Sequence, residues 1–358
     1  MMTTPTTAPT HAHLVGSINL PDADSTFRHV SEHLGTRVTR IPDGEVGERF
    51  YWIQFQRNRF DQVDGLVRVG ETRIPFREIF DARPMALAAG FDATELRFPS
   101  LGYADAAIAS YADFARLKAD GIIPAHVRFQ VSLPTPAGVI GSFVVSESQA
   151  AVEPEYEKAL FSELDRILAA IPHDQLAIQW DTAFEFGMLE EAVIWGTKLT
   201  SWFADTHEGI LEGVIERGVR QAAAVPGDVE VGYHLCYGDV EEAHFVEPED
   251  ASTLAEVLTG LFVEAPRVIS FVHLPVPIER DDDAFFAPLG AVAWPQNTEV
   301  FLGLVHHEDG VEGALRRAAT ASRVVPNFGI ATECGFGRGP SERTDGLLDL
   351  HNEVAAAL

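Results

Sequence analysis

Only two cysteines occur in 358 residues, too few for a disulfide framework. Cations are scarce too: 26 lysines and arginines stand against 54 aspartates and glutamates, a formal net charge of −28. Nucleic acid or an anionic membrane surface would need a basic face that these counts do not supply, so neither is expected as a partner. No run approaches the roughly 18 consecutive apolar residues of a spanning helix. The opening MMTTPTTAPT lacks the basic region and apolar core of a signal peptide and reads as a disordered tail over 1–10. Free thiols without an export signal point to a reducing cytoplasm.

Both cysteines stand in chemically dense text. In VGYHLCYGD, residues 231–239, His234 and Cys236 are two apart, and on a strand their side chains leave the same face. Cys334 follows in NFGIATECGFGRG, a glycine-rich stretch suited to a strand end opening into a loop. An HxC pair on an apolar strand serves packing as well as metal binding, because a free cysteine is among the most buried of residues.

From residue 126 onward, strands and helices alternate. HVRFQVSLPTP, QLAIQWD, the HxC strand, VISFVHLPVP and TEVFLGLVHHED read as strands. EPEYEKALFSELDRILAAI is the clearest helix, with Leu160, Leu164, Ile167 and Ile171 on one stripe. Polar residues recur at strand ends. Asp181 closes QLAIQWD, where a carboxylate without a partner would be costly to bury, so it reads as a site residue or as a helix N-cap. His306 ends the apolar run of GLVHHED and, by itself, reads as one of two adjacent surface histidines. In HAHLVGSINL a short run ends at Gly16 and Ser17, which suits a turn or a ligand-holding step, while His11 and His13 read as surface residues. In RIPDGEVGERFYWIQF, Asp43 and Glu45 suit a substrate cation and Arg49 an anion, with Trp52 beside them; the bland alternative is a solvated turn before a half-buried helix. Residues 65–98 read as a hairpin, GLVRVGETRI, and irregular chain. No GxGxxG follows the first strand, and the polar strand ends are spread over at least five strands. Both favour a closed (β/α)8 TIM barrel over an open doubly wound sheet. The expected layout is one barrel domain over 11–358, with an N-terminal loop and hairpin insertion at about 38–100.

The chain resembles the C-terminal catalytic barrel of cobalamin-independent methionine synthase, within the uroporphyrinogen decarboxylase-like superfamily. There, zinc is held by the histidine and cysteine of an HxC strand, a glutamate ending the next strand, and a late cysteine. The resemblance implies His234, Cys236 and Cys334 as zinc ligands here. At the glutamate position the register offers Val272 or, one residue on, His273, which is then a substitute ligand or a substrate contact. It further implies that Gly16 and Ser17 help hold an amino-acid substrate, that Asp181 takes its ammonium, and that His306 delivers a proton to the donor. Thr182 and Ala183 replace the family's Glu-Pro, and a second barrel that helps bind folate is missing.

Three readings follow: zinc-dependent alkyl or methyl transfer to a small thiol from a folate, corrinoid or other donor; a metal-free decarboxylase or lyase on the same barrel; and a non-catalytic small-ligand binder. Because of those two departures, poor methyl transfer from polyglutamylated methyltetrahydrofolate to homocysteine is expected.

Overall fold

The computed structural model describes residues 11–194, 196–239 and 243–358; the tail expected over 1–10 lies outside the described residues. Seven parallel strands form one curled sheet in chain order: β1 Arg40–Pro42, β2 Arg128–Pro134, β3 Leu176–Thr182, β4 Glu230–Leu235, β5 Phe271–Pro275, β6 Glu299–Val305 and β7 Phe328–Thr332. Helices cover the outside: α1 Ala23–Leu34, α2 Tyr103–Ala119, α3 Pro136–Phe143, α4 Ser146–Ala170, α5 Phe184–Leu189, α6 His207–Ala224, α7 Ser252–Glu264, α8 Gly310–Ala321 and α9 Thr344–Ala357. β3 is buried along its whole length, as a strand covered on both faces must be. Leu160, Leu164 and Ile167 form the buried stripe of α4. No described helix is long and apolar enough to cross a membrane.

The eighth place in the barrel holds an irregular stave. Ala12 pairs in parallel with Val38, just before β1, and with Ile330 of β7. His13 N–H donates to the Ile330 carbonyl at 2.8 Å and Ala12 N–H to that of Arg37 at 2.9 Å. The barrel expected from the alternation is therefore present in distorted form, its eighth stave held only by isolated bridges at Ala12 and Ser17.

Apolar side chains fill the layer between sheet and helices, but the barrel interior is largely polar. Arg40 pairs with Glu230 at 2.6 Å and with Glu299, and its guanidinium lies 4.1 Å from the Phe271 ring centre. Above it, His13 stacks on Phe301 and bonds Gln179 at 2.8 Å. His13 is thus an interior residue with 1% exposure, a correction to the surface placement expected from the sequence.

The insertion is more folded than expected. Leu66–Arg68 pairs antiparallel with Met85–Leu87, and Pro75–Phe76 with Phe80–Asp81, so GLVRVGETRI is not a hairpin closed on itself. The half-buried helix offered after the turn is broken into 3-10 turns, Gly47–Arg49 and Trp52–Phe55, before the short helix Gln56–Phe60. Trp52 itself has φ 51°, a left-handed conformation uncommon for a bulky residue.

Candidate metal centre and substrate cavity

His234 lies in β4, Cys236 directly beyond its end, and Cys334 two residues beyond β7. The barrel brings these ends together. Cys334 Sγ is 3.7 Å from His234 Nε2 and 4.0 Å from Cys236 Sγ, and all three candidate ligand atoms lie within 4.8 Å of one another. Tetrahedral zinc with its usual bond lengths would set S–N and S–S separations of roughly 3.6 and 3.8 Å, so the cluster can take a metal ion with little adjustment. Both thiols are free. Contact with Cys334, and then burial, push the Cys236 thiol well above its ordinary range; a cation between the sulfurs would reverse that balance.

His273 faces His234 across β4 and β5, in register. Its Nε2–H donates to the Thr332 carbonyl at 2.9 Å, which leaves Nδ1 as the acceptor for His234 Nδ1–H at 2.7 Å. His234 Nε2 therefore carries the lone pair, on the side facing Cys334. Burial lowers His273 to about 3 and His234 well below the imidazole range, so both rings are neutral. Both nitrogens of His273 are engaged, one with Thr332 and one with His234, so the ring stands behind a candidate ligand, where partners of metal-bound histidines are found.

The cluster forms part of the lining of a cavity of about 190 Å³. Gly16, Ser17, Glu45, Trp52 and Asp181 also line it, with Tyr51, Phe76, Phe245, Arg77, Asp239 and Arg338. Asp181 lies in register with His234 and accepts from Gln179 Nε2 at 2.8 Å. Burial, then the charge of Glu45, raise the Asp181 carboxyl well above its usual range. Burial raises Glu45 to about 7 against the pull of Arg49 and Arg338. Two buried acids sharing a site would ionise together only with a cation between them. Glu45 and Trp52 both hold positive φ, 52° and 51°, strain that is retained here where two side chains enter a cavity.

Asp43 and Arg49 are placed elsewhere. They pair with each other at 2.6 Å, and Asp43 also accepts from Ser110 Oγ at 2.7 Å and Glu45 N–H at 3.1 Å. Neither lines the cavity; they hold the loop that delivers Glu45 and Trp52. Burial raises the Asp43 carboxyl, but Arg49 and these hydrogen bonds outweigh it and leave it lowered.

His306 lines a second cavity of about 280 Å³ that shares Asp239, Cys334 and Gly335 with the first. Its Nε2–H donates to the Val276 carbonyl at 2.9 Å, and its Nδ1 lies 4.0 Å from Glu333. Burial lowers its pKa, with Glu333 opposing. The Cys334 loop rests on the Gly16–Ser17 step: Phe336 N–H donates to the Ser17 carbonyl at 3.0 Å, and a Cβ on Gly337 would sit 2.7 Å from Ser17 Cβ.

No family profile and no curated protein sequence matches the chain. Solved structures do. A B12-independent methionine synthase from a Shewanella species, in complex with selenomethionine, superposes with a TM-score of 0.57 at 15% identity, covering 98% of each chain. The fold is that of the methionine synthase barrel. A putative vitamin-B12 independent methionine synthase from Listeria monocytogenes gives 0.56 at 16% identity, again over 98% of each chain. The methionine synthase fold thus extends over nearly the whole chain, including the insertion.

The sequence missed the aromatic rim and both cavity arginines. Phe76 ends one strand of the small hairpin and Arg77 begins its turn, at φ 49°, and Arg338 pairs with Asp239. The RG step after CGF is the one signal that pointed to Arg338.

Proposed function

We propose that the protein transfers an alkyl group, methyl in the first instance, to the sulfur of a small thiol with the help of zinc. The observation that carries this reading is the His234–Cys236–Cys334 cluster opening into a cavity walled by Ser17, Glu45 and Asp181. Zinc in such a sulfur-rich site would hold a substrate thiol as thiolate at neutral pH, ready to attack an alkyl carbon. His273 keeps His234 in the tautomer that presents Nε2 to the cluster. Glu45 and Asp181 take the ammonium of an amino-acid thiol, which supplies the cation their shared burial calls for. The thiolate displaces the donor's leaving atom at the alkyl carbon, forming the C–S bond as the donor bond breaks. The proton that the thiol loses on ionising is taken up at His306 Nδ1, with Glu333 beside it, and passed to that leaving atom from the second cavity.

The selenomethionine named with the Shewanella structure supports an amino-acid head group. The Shewanella chain is itself covered to 98% by this one, so a single barrel does not argue against homocysteine. The expectation against homocysteine now rests on Thr182 and Ala183.

Elemental analysis of protein purified without added metal, then a panel of thiols with the cobalt-substituted form, tests the reading. About one zinc per chain is expected, with a shift in the sulfur-to-metal ultraviolet band on adding the true acceptor and turnover with a folate, corrinoid or epoxide donor. A metal-free protein, or a loaded one that no thiol perturbs, removes it from the alkyltransferases and favours the lyase or binding-protein reading.

A further inference from the structure

We propose that His29, His33 and Asp345 form a second metal site, for a borderline divalent ion such as zinc or nickel, on the outer face of the barrel and independent of the thiol chemistry. The two histidines are four residues apart on α1, so both imidazoles leave one helix face, and their rings stack with centres 6.3 Å apart and planes 10° from parallel. Asp345 stands in the first turn of α9. Its Oδ1 lies 2.9 Å from His29 Nδ1 and 3.8 Å from His33 Nε2. Two nitrogen or oxygen ligands on one tetrahedral zinc lie about 3.4 Å apart, and these two distances straddle that value. The three ligand atoms lie within 4.8 Å of one another, a spread that partly exposed side chains can close by small rotations.

The surroundings orient the site. Asp349 Oδ1 is 2.7 Å from His33 Nδ1, so the carboxylate holds a proton on that nitrogen and turns the Nε2 lone pair toward Asp345. A carboxylate behind a histidine whose other nitrogen faces the ligand group is the usual support of a metal-bound imidazole. Two imidazoles select a transition ion over magnesium or calcium, which take oxygen ligands.

An ion here would tie α1 to α9. The first helix follows the Gly16–Ser17 step that lines the cavity, and the last follows the Cys334 loop. Asn19 Nδ2 already donates to the Gly339 carbonyl at 2.7 Å. Occupancy would therefore brace the two segments that meet at the cavity mouth.

Cobalt(II) titration of the zinc-loaded protein tests this. One further equivalent is expected to bind with visible absorption but no thiolate charge-transfer band, and to raise Tm. The His29→Ala/His33→Ala variant should lose that equivalent and keep the zinc at the cysteines. Asp349→Asn, which leaves all three ligands in place, should weaken it about 10–100-fold. Absence of further cobalt binding in the unsubstituted protein, or binding unchanged in the double variant with native circular dichroism, would overturn the site; neither result touches the cysteine centre.

Discussion

His273 donates to the Thr332 carbonyl and accepts from His234, 2.7 Å away, so a backbone oxygen on one strand sets the tautomer of a candidate ligand three strands distant. His273→Phe keeps the packing but removes the acceptor. Zinc affinity should fall about 10–100-fold, with His273→Gln falling less; competition against a chromophoric chelator measures it, and equal affinity in all three proteins would dismiss the relay.

Cys236→Ala and Cys334→Ala should each release the metal and abolish thiol chemistry while the barrel remains folded, because both side chains lie beyond strand ends and leave the strand pairing intact. Elemental analysis beside far-ultraviolet circular dichroism separates loss of metal from loss of fold. Full metal retention in both variants would eliminate the cluster.

Glu45 titrates near 7 in the ligand-free site. Binding of an ammonium-bearing thiol should strengthen as pH rises through that value and the carboxyl loses its proton. Glu45→Gln should flatten the dependence. A Kd profile between pH 6 and 8 that the substitution leaves unchanged would take Glu45 out of ammonium binding.

Glu185 is a buried acid outside the cavity, raised by burial from 4.5 to about 7, with one oxygen lacking a partner. Between those values the native state keeps a proton that the unfolded chain has lost, so stability falls as pH rises through the window. At pH 8, Glu185→Gln should be more stable than the unsubstituted protein by up to about 3 kcal/mol, and near pH 4 the two should match. Urea unfolding at both pH values gives the comparison; a variant less stable at pH 8 would contradict it.

Arg49→Met strands the Asp43 carboxylate in the interior and should cost about 3–5 kcal/mol. Urea unfolding would register the loss, and a change under about 1 kcal/mol would mean that Asp43 finds another partner.

The strand order and the cluster were legible because an apolar run ending in a polar residue marks a barrel strand reaching its catalytic face, as at Asp181, His234 and His306. His13 was not: the HAHLV alternation assigns it a face, but not that this barrel's inside is polar. Asp43 and Arg49 showed their charges in the sequence but not that they neutralise each other. Trp52 was placed beside Glu45 in the sequence, but its left-handed backbone was not legible there. His273 stood one residue from the expected ligand position, and only the register across β4 and β5 shows that it backs His234.

The irregular stave at Ala12 has a consequence for synthesis. The first described residues bridge to Ile330, near the chain's other end, so the barrel cannot close while β7 is still inside the ribosome. Until then, the far side of the stave and the free side of β6 offer unpaired edges, the kind of surface on which nascent chains associate. Closure waits for β7, and slowing synthesis between β6 and β7 should lower the yield of soluble protein more than slowing it between β1 and β2.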